Sequence, residues 1–217
     1  MTEAQPAART ARAPAEPVDG FDRIVGANRI MAILRGYGPA ETAALAHRIW
    51  DAGIGLLEVP IGTPDALPAL RAAVAAGAER GRRIGAGTVL TLEQVRAAAT
   101  AGAQYTVAPG LDLTLLAASL AVGLPHLPGV GTASEVQQLR AAGGRWVKAF
   151  PASALGPSWV TGIAGPFPDV AVVATGGLRV ADAAAWLSAG ARVVALGAAL
   201  ADPTEVARLS ELMPQVR

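Results

Sequence analysis

The sequence predicts an α/β protein, a single-domain (β/α)8 barrel of the TIM type, and three observations carry that prediction. From about residue 21 onward, short apolar runs alternate with longer Ala-rich segments of helical spacing, and there are eight such runs. The runs are apolar throughout, as expected of strands buried on both faces of a parallel sheet. No G-x-G-x-x-G follows the first run, and "GAGT" (85–88) does not fit that pattern. A doubly wound open sheet, which would show the same alternation, is therefore the weaker reading. Eight repeats in about 190 residues is compact for this barrel, which usually takes about 250.

The elements follow in order. Residues 1–20, "MTEAQPAARTARAPAEPVDG", are rich in Ala and Pro, lack an apolar leader core, and carry Glu3, Glu16 and Asp19. They predict a flexible N-terminal tail, with the barrel domain and an extra N-terminal helix over 21–217. The predicted strands are "IMAIL" (30–34), "LLEVPI" (56–61), "RIGAGTV" (83–89), "YTVAP" (105–109), "PHLPG" (125–129), "WVKAF" (146–150), "VAVVATGG" (170–177) and "RVVALG" (192–197). Helical segments between them include 39–53, 65–81 and 181–191. Thr91 before "LEQV" reads as an N-cap, and Thr132 with Glu135 as a capping box. Gly53, Gly102 and Gly190 read as helix ends.

Composition narrows the function. The net charge is +1, and no basic block is interleaved with aromatics, so a nucleic-acid partner is not expected. The segment 115–130 carries two prolines and is too short for a bilayer, so no membrane role is expected either. Cysteine is absent, which excludes disulfides and thiolate metal sites and allows a cytoplasmic location. His47 and His126 have no ligand partner at metal spacing, so neither a metal nor a cofactor is expected.

In a barrel of this type, chemistry sits at the carboxyl ends of the strands. Arg35 ends the first run, Thr88 the third and Thr175 the seventh. Glu58 is the only carboxylate within any of the eight runs, and burying it is costly unless it is paired or protonated. Lys148, in the sixth, is the only lysine beside seventeen arginines. Arginine supplies charge and hydrogen bonds but neither deprotonates nor forms a Schiff base, so this position needs the amine itself. Trp146, Lys148 and Phe150 share one face of their strand, inside the barrel or outside it. Gly176 and Gly177 follow strand seven and Gly197 follows strand eight, where backbone N–H groups can approach phosphate oxygens. A desolvated lysine with a carboxylate and an anion site suits imine chemistry on a keto acid.

At these residues the chain resembles the 2-keto-3-deoxy-6-phosphogluconate and 2-keto-3-deoxy-6-phosphogalactonate aldolases. The matching stretches include "AILRG" (32–36), "LLEVPIGTP" (56–64), "IGAGTVLTLEQV" (84–95), "VAPGLD" (107–112), "LPGVGTASE" (127–135) and "VKAFPASALGP" (147–157). The resemblance implies Lys148 as the Schiff-base lysine and Glu58 as the acid–base residue. It implies Thr88 at the pyruvate carboxylate, Arg35 as a substrate-binding arginine that takes over the carboxylate or substrate contact missing at Gly62, and Pro109, Phe150 and Thr175 around the substrate. It further implies keto acid and aldehyde substrates, reversible cleavage to pyruvate and glyceraldehyde 3-phosphate, and a cytoplasmic homotrimer.

Three departures stand out. Gly62 replaces an Arg found in many gluconate-type members. Ala198 replaces a Ser common in phosphate-binding members, leaving the backbone N–H groups of Gly177, Gly197 and Ala198. Thr175 resembles the gluconate branch, whereas "EVPIGTP" and "FPASALGP" resemble the galactonate branch. Alternatives are an aldolase for 4-hydroxy-2-oxoglutarate or an unphosphorylated keto-deoxy acid, a phosphate-binding barrel isomerase or epimerase using Glu58 alone, and a non-catalytic trimeric scaffold.

Overall fold

The apolar runs fold as eight strand positions: β1 (Ile30–Ile33), β2 (Leu56–Pro60), β3 (Ile84–Gly87), β4 (Tyr105–Val107), β5, β6 (Trp146–Ala149), β7 (Ala171–Thr175) and β8 (Val193–Leu196). β5 comes in two pieces, His126–Leu127 and Gly129–Val130, on either side of Pro128. This computed structural model describes residues 20–197 together with 204, 205 and 208. The predicted tail, apart from Gly20, therefore lies outside the described residues, as does most of the chain beyond 197.

All pairings are parallel, each strand pairs with the next, and β8 returns to β1 with Ile30 opposite Val194. That return closes the sheet and excludes the open doubly wound alternative. The first piece of β5 pairs with β4 and the second with β6, so closure runs through Pro128. Proline has no N–H to give the ladder, but its carbonyl accepts from the Lys148 N–H at 2.8 Å.

Up to residue 197 the α-helices are α1 (Phe21–Val25), α2 (Pro39–Asp51), α3 (Leu67–Glu79), α4 (Leu92–Thr100), α5 (Leu113–Ala121), α6 (Ala133–Ala141), α7 (Ala152–Leu155), α8 (Ser158–Ala164) and α9 (Ala183–Ser188). Thr91 caps α4 by accepting from the Gln94 N–H, and Thr132 with Glu135 forms the expected capping box on α6. Gly53, Gly102 and Gly190 end their helices at φ 88°, 83° and 106°, in the left-handed region that favours glycine. Among the described residues no helix is long and apolar enough to cross a membrane.

Strand alternation sorts the core into two clusters. Outward residues such as Ala32, Leu57, Ala86, Val147, Ala174 and Val194 pack under the helices. Inward residues such as Met31, Leu56, Tyr105, Leu127, Trp146 and Val193 fill the barrel. α1 closes the end of the barrel where the strands begin. Phe21 is fully buried there, its ring 5.5 Å from that of Tyr105 and 5.6 Å from that of Trp146. Above this plug Glu58, Lys148 and Thr175 share the interior with Ile33 and Ala195.

Candidate active site

Glu58 and Lys148 sit in the middle of β2 and β6, at positions whose side chains face into the barrel. They are 2% and 5% exposed, alongside Ile33, Thr175 and Ala195 around a cavity of about 570 Å³ at the carboxyl ends of the strands. Their places follow from alternation: Lys148 lies two residues beyond Trp146, and Glu58 two beyond Leu56. The question of which face Lys148 occupies is thus decided in favour of the interior.

The interior is narrow, and β3 makes the room. A Cβ on Gly87 would stand 2.7 Å from Glu58 Cγ, with the carboxyl group nearer still, and one on Gly85 would collide with the Tyr105 ring. Both glycines of "GAG" thus clear space for inward side chains of neighbouring strands. The Tyr105 hydroxyl donates to the Leu57 carbonyl at 2.7 Å. Burial first, then the nearby Glu58 charge, holds its pKa well above the ordinary tyrosine value, so it remains a fixed donor beside β2.

Burial shifts both central groups toward their neutral forms. It raises the Glu58 carboxyl, while Lys148 and Arg35 pull it back. It lowers the Lys148 ammonium, with Arg35 acting in the same direction and Glu58 opposing. Their proton affinities are drawn toward each other, which makes a free amine and a protonatable carboxyl available together. Lys148 Nζ lies 4.9 Å from the centre of the Phe150 ring, a modest cation–π contact favouring the charged amine.

The same cavity takes in Arg35, Phe150, Thr175, Gly176, Gly177 and Gly197. Two of the expected residues stand back from it. Thr88 follows β3 with φ 55°, strained for a β-branched residue, and its Oγ1 accepts from Arg35 Nη2 at 3.2 Å. It thus meets the cavity through Arg35. A Cβ on Gly62 would lie 2.9 Å from the Thr88 methyl, so the departure at Gly62 and the Arg35–Thr88 pair belong together. Pro109 does not line the cavity, and its backbone fills the space that Gly129 leaves by having no side chain. Ala198 lies outside the described residues. Tyr37 and Arg179 line the cavity without having been anticipated. The signal for Arg179 was its place two residues beyond the paired glycines.

His126 is fully buried and belongs to the barrel wall. Its Nδ1 pairs with Thr106 Oγ1 at 2.7 Å, which in turn pairs with Ser119 Oγ at 2.6 Å. Among the described residues no group of three or more His, Asp or Glu side chains is arranged to hold a metal ion.

Comparison with known proteins places this geometry. The model of the aldolase family described as KDPG and KHG aldolase matches residues 21–211. The chain is 36% identical to the 2-dehydro-3-deoxy-6-phosphogalactonate aldolase of Escherichia coli K12, over 79% of this chain and 83% of that one. It is 35% identical to the 2-dehydro-3-deoxy-phosphogluconate aldolase of Pseudomonas aeruginosa, over 77% and 76%. The fold superposes with a TM-score of 0.78 on KDPG aldolase from Legionella pneumophila, solved with pyruvate captured as a covalent carbinolamine. That match is 27% identical and covers 93% of this chain and 98% of the other.

Proposed function

Because the chain belongs to the KDPG and KHG aldolases, class I carbon–carbon lyases that form pyruvate, we propose that it cleaves a 2-keto-3-deoxy-6-phospho sugar acid. The products would be pyruvate and glyceraldehyde 3-phosphate, from a substrate of gluconate or galactonate configuration. The observation that carries this reading is the sole lysine, buried inside the barrel in a cavity it shares with Glu58, the only carboxylate in the described strands.

The neutral Lys148 amine attacks the ketone carbon C2. Glu58 donates a proton to the departing hydroxyl of the carbinolamine, water leaves, and an iminium forms. Glu58, now a carboxylate, takes the proton from the C4 hydroxyl. The C3–C4 bonding pair then flows into the iminium, giving an enamine and releasing the aldehyde. Protonation at C3 and hydrolysis of the imine return pyruvate and the amine. Arg35, oriented by Thr88, holds the substrate carboxylate beside C2. Phe150 and Thr175 border the chain being cleaved, and Gly176, Gly177 and Gly197 form the phosphate side. Pro109 supports the wall through Gly129.

Borohydride added with pyruvate is expected to fix a reduced adduct on Lys148. Lys148→Arg is expected to abolish it and to lower kcat by about 10⁴-fold or more. An isomerase relying on Glu58 alone would keep substantial activity in that variant, and a wild type that forms no adduct sinks the aldolase reading. A second substrate reading has the Ala198 identity behind it: 4-hydroxy-2-oxoglutarate or an unphosphorylated keto-deoxy acid. It prevails when phosphate improves kcat/KM by less than tenfold, about 1.4 kcal/mol.

The assembly is proposed to be a cytoplasmic homotrimer. Leu90, Leu92 and Leu113 support an interface, each being exposed at or just before the start of α4 or α5. Light scattering would then give three times 21.8 kDa.

A further inference from the structure

We propose that Arg179 recognises the far, phosphate-bearing end of the substrate, a role that rests on the aldolase reading above. Among the described residues two arginines line the cavity, Arg35 and Arg179. Arg35 is committed to the reacting end. Thr88 Oγ1 accepts its Nη2 at 3.2 Å, and its charge is felt at both Glu58 and Lys148. The carboxylate of a 2-keto acid is bonded directly to the carbon that Lys148 attacks, so that carboxylate belongs with Arg35. A substrate that is anionic at its other end gains from a second cation beside the glycine N–H groups, and among the described residues Arg179 is the one the cavity offers.

Its setting fits that use. Arg179 lies in the loop after β7, beyond Gly176, Gly177 and Leu178. The glycines take φ 102° and 73°, and a Cβ on Gly176 would stand 2.9 Å from the Phe150 ring. The loop thus lies close against the cavity wall with backbone alone, and Arg179 supplies charge that glycine cannot. At the neighbouring strand end, Ala198 offers no hydroxyl.

The Arg179 backbone N–H is fixed by the Asp182 carboxylate at 2.8 Å, whereas its side chain is 77% exposed. Its Nε stands 3.6 Å from Asp182 Oδ2, an exposed pair that restrains it weakly. The anchored backbone and loosely held guanidinium let the head turn toward a phosphate, whose oxygens it matches with two parallel N–H donors.

The test is the condensation of pyruvate with glyceraldehyde 3-phosphate and, separately, with glyceraldehyde, in wild type, Arg179→Gln and Arg179→Lys. Arg179→Gln is expected to lower the ratio of the two kcat/KM values by roughly 10–100-fold, with Arg179→Lys in between. A ratio within twofold of wild type, in a variant whose Lys148 still traps pyruvate, overturns the role of Arg179 and leaves the aldolase standing. An equal loss with both aldehydes marks a structural role and also overturns it. So does a wild type indifferent to the phosphate, and a wild type that forms no pyruvate adduct overturns both proposals.

Discussion

Gly87→Ala is a one-methyl test of how the interior seats its carboxylate. Gly87 is not at positive φ, so alanine meets no backbone penalty and the effect is steric. The new Cβ would lie 2.7 Å from Glu58 Cγ, where ordinary carbon contacts begin at about 3.5 Å. The carboxyl group would stand nearer still, so Glu58 must retreat by at least about 1 Å. β3 cannot yield instead, because its backbone is paired with β2 and β4 on both sides. A displacement of that size at a reacting group costs about a hundredfold, or roughly 2.7 kcal/mol in the barrier. The global stability cost of the added methyl is about 1–3 kcal/mol. The assay is kcat for pyruvate-forming cleavage, with urea unfolding to confirm that the variant is folded at the assay temperature. In a Glu58→Gln background, the same methyl should lower kcat by less than about threefold, since glutamine fills the same space but no longer transfers the proton. A folded Gly87→Ala enzyme with kcat within threefold of wild type would refute the reasoning. So would a full hundredfold loss on top of Glu58→Gln.

Two further predictions concern the frame. Burial lowers the His126 pKa from 6.5 to about 4, opposed by the charge of Asp112. Between those values the unfolded chain binds the extra proton, so the stability from neutral His126 is complete above pH 6.5 and is lost as pH falls toward 4. The shift is worth about 3 kcal/mol. Urea unfolding at pH 7 and pH 4 should show that much extra acid destabilisation in wild type over His126→Asn, and equal pH slopes would remove His126 as the cause. Phe21→Ala deletes the ring between Tyr105 and Trp146 and should cost about 3–5 kcal/mol, lowering Tm by roughly 6–20 °C. A loss below about 1 kcal/mol would mean that α1 does not unfold with the barrel.

Much of this architecture was legible because strand burial writes itself into composition. Runs such as "IMAIL" and "RVVALG" are apolar on both faces, and the caps at Thr91 and Thr132 declare themselves locally. Glu58 and Lys148 were legible for the opposite reason, each being the wrong chemistry for its run. The break at Pro128 was present in "PHLPG", yet only ring closure shows that the two halves serve different neighbours. The purposes of Gly85, Gly87 and Gly129 are three-dimensional, since each makes way for atoms of another strand or loop. Thr88 and Pro109 sit at strand ends as expected, but a positive φ in one case and contact with Gly129 in the other leave them outside the cavity lining. Arg179 escaped notice because an exposed loop arginine looks like any other until a cavity is seen beside it.

The division of labour between strands and loops has a consequence for how such a protein can change. Glu58 and Lys148 ride on β2 and β6, so their separation is fixed by the gauge of the barrel. Arg35, Gly177 and Arg179 sit on connecting segments, where substitutions leave that gauge alone. On the proposed mechanism, substrate preference can therefore drift one loop residue at a time while Glu58 and Lys148 keep their places. The marks of two sugar-acid branches in this sequence suit such piecemeal change.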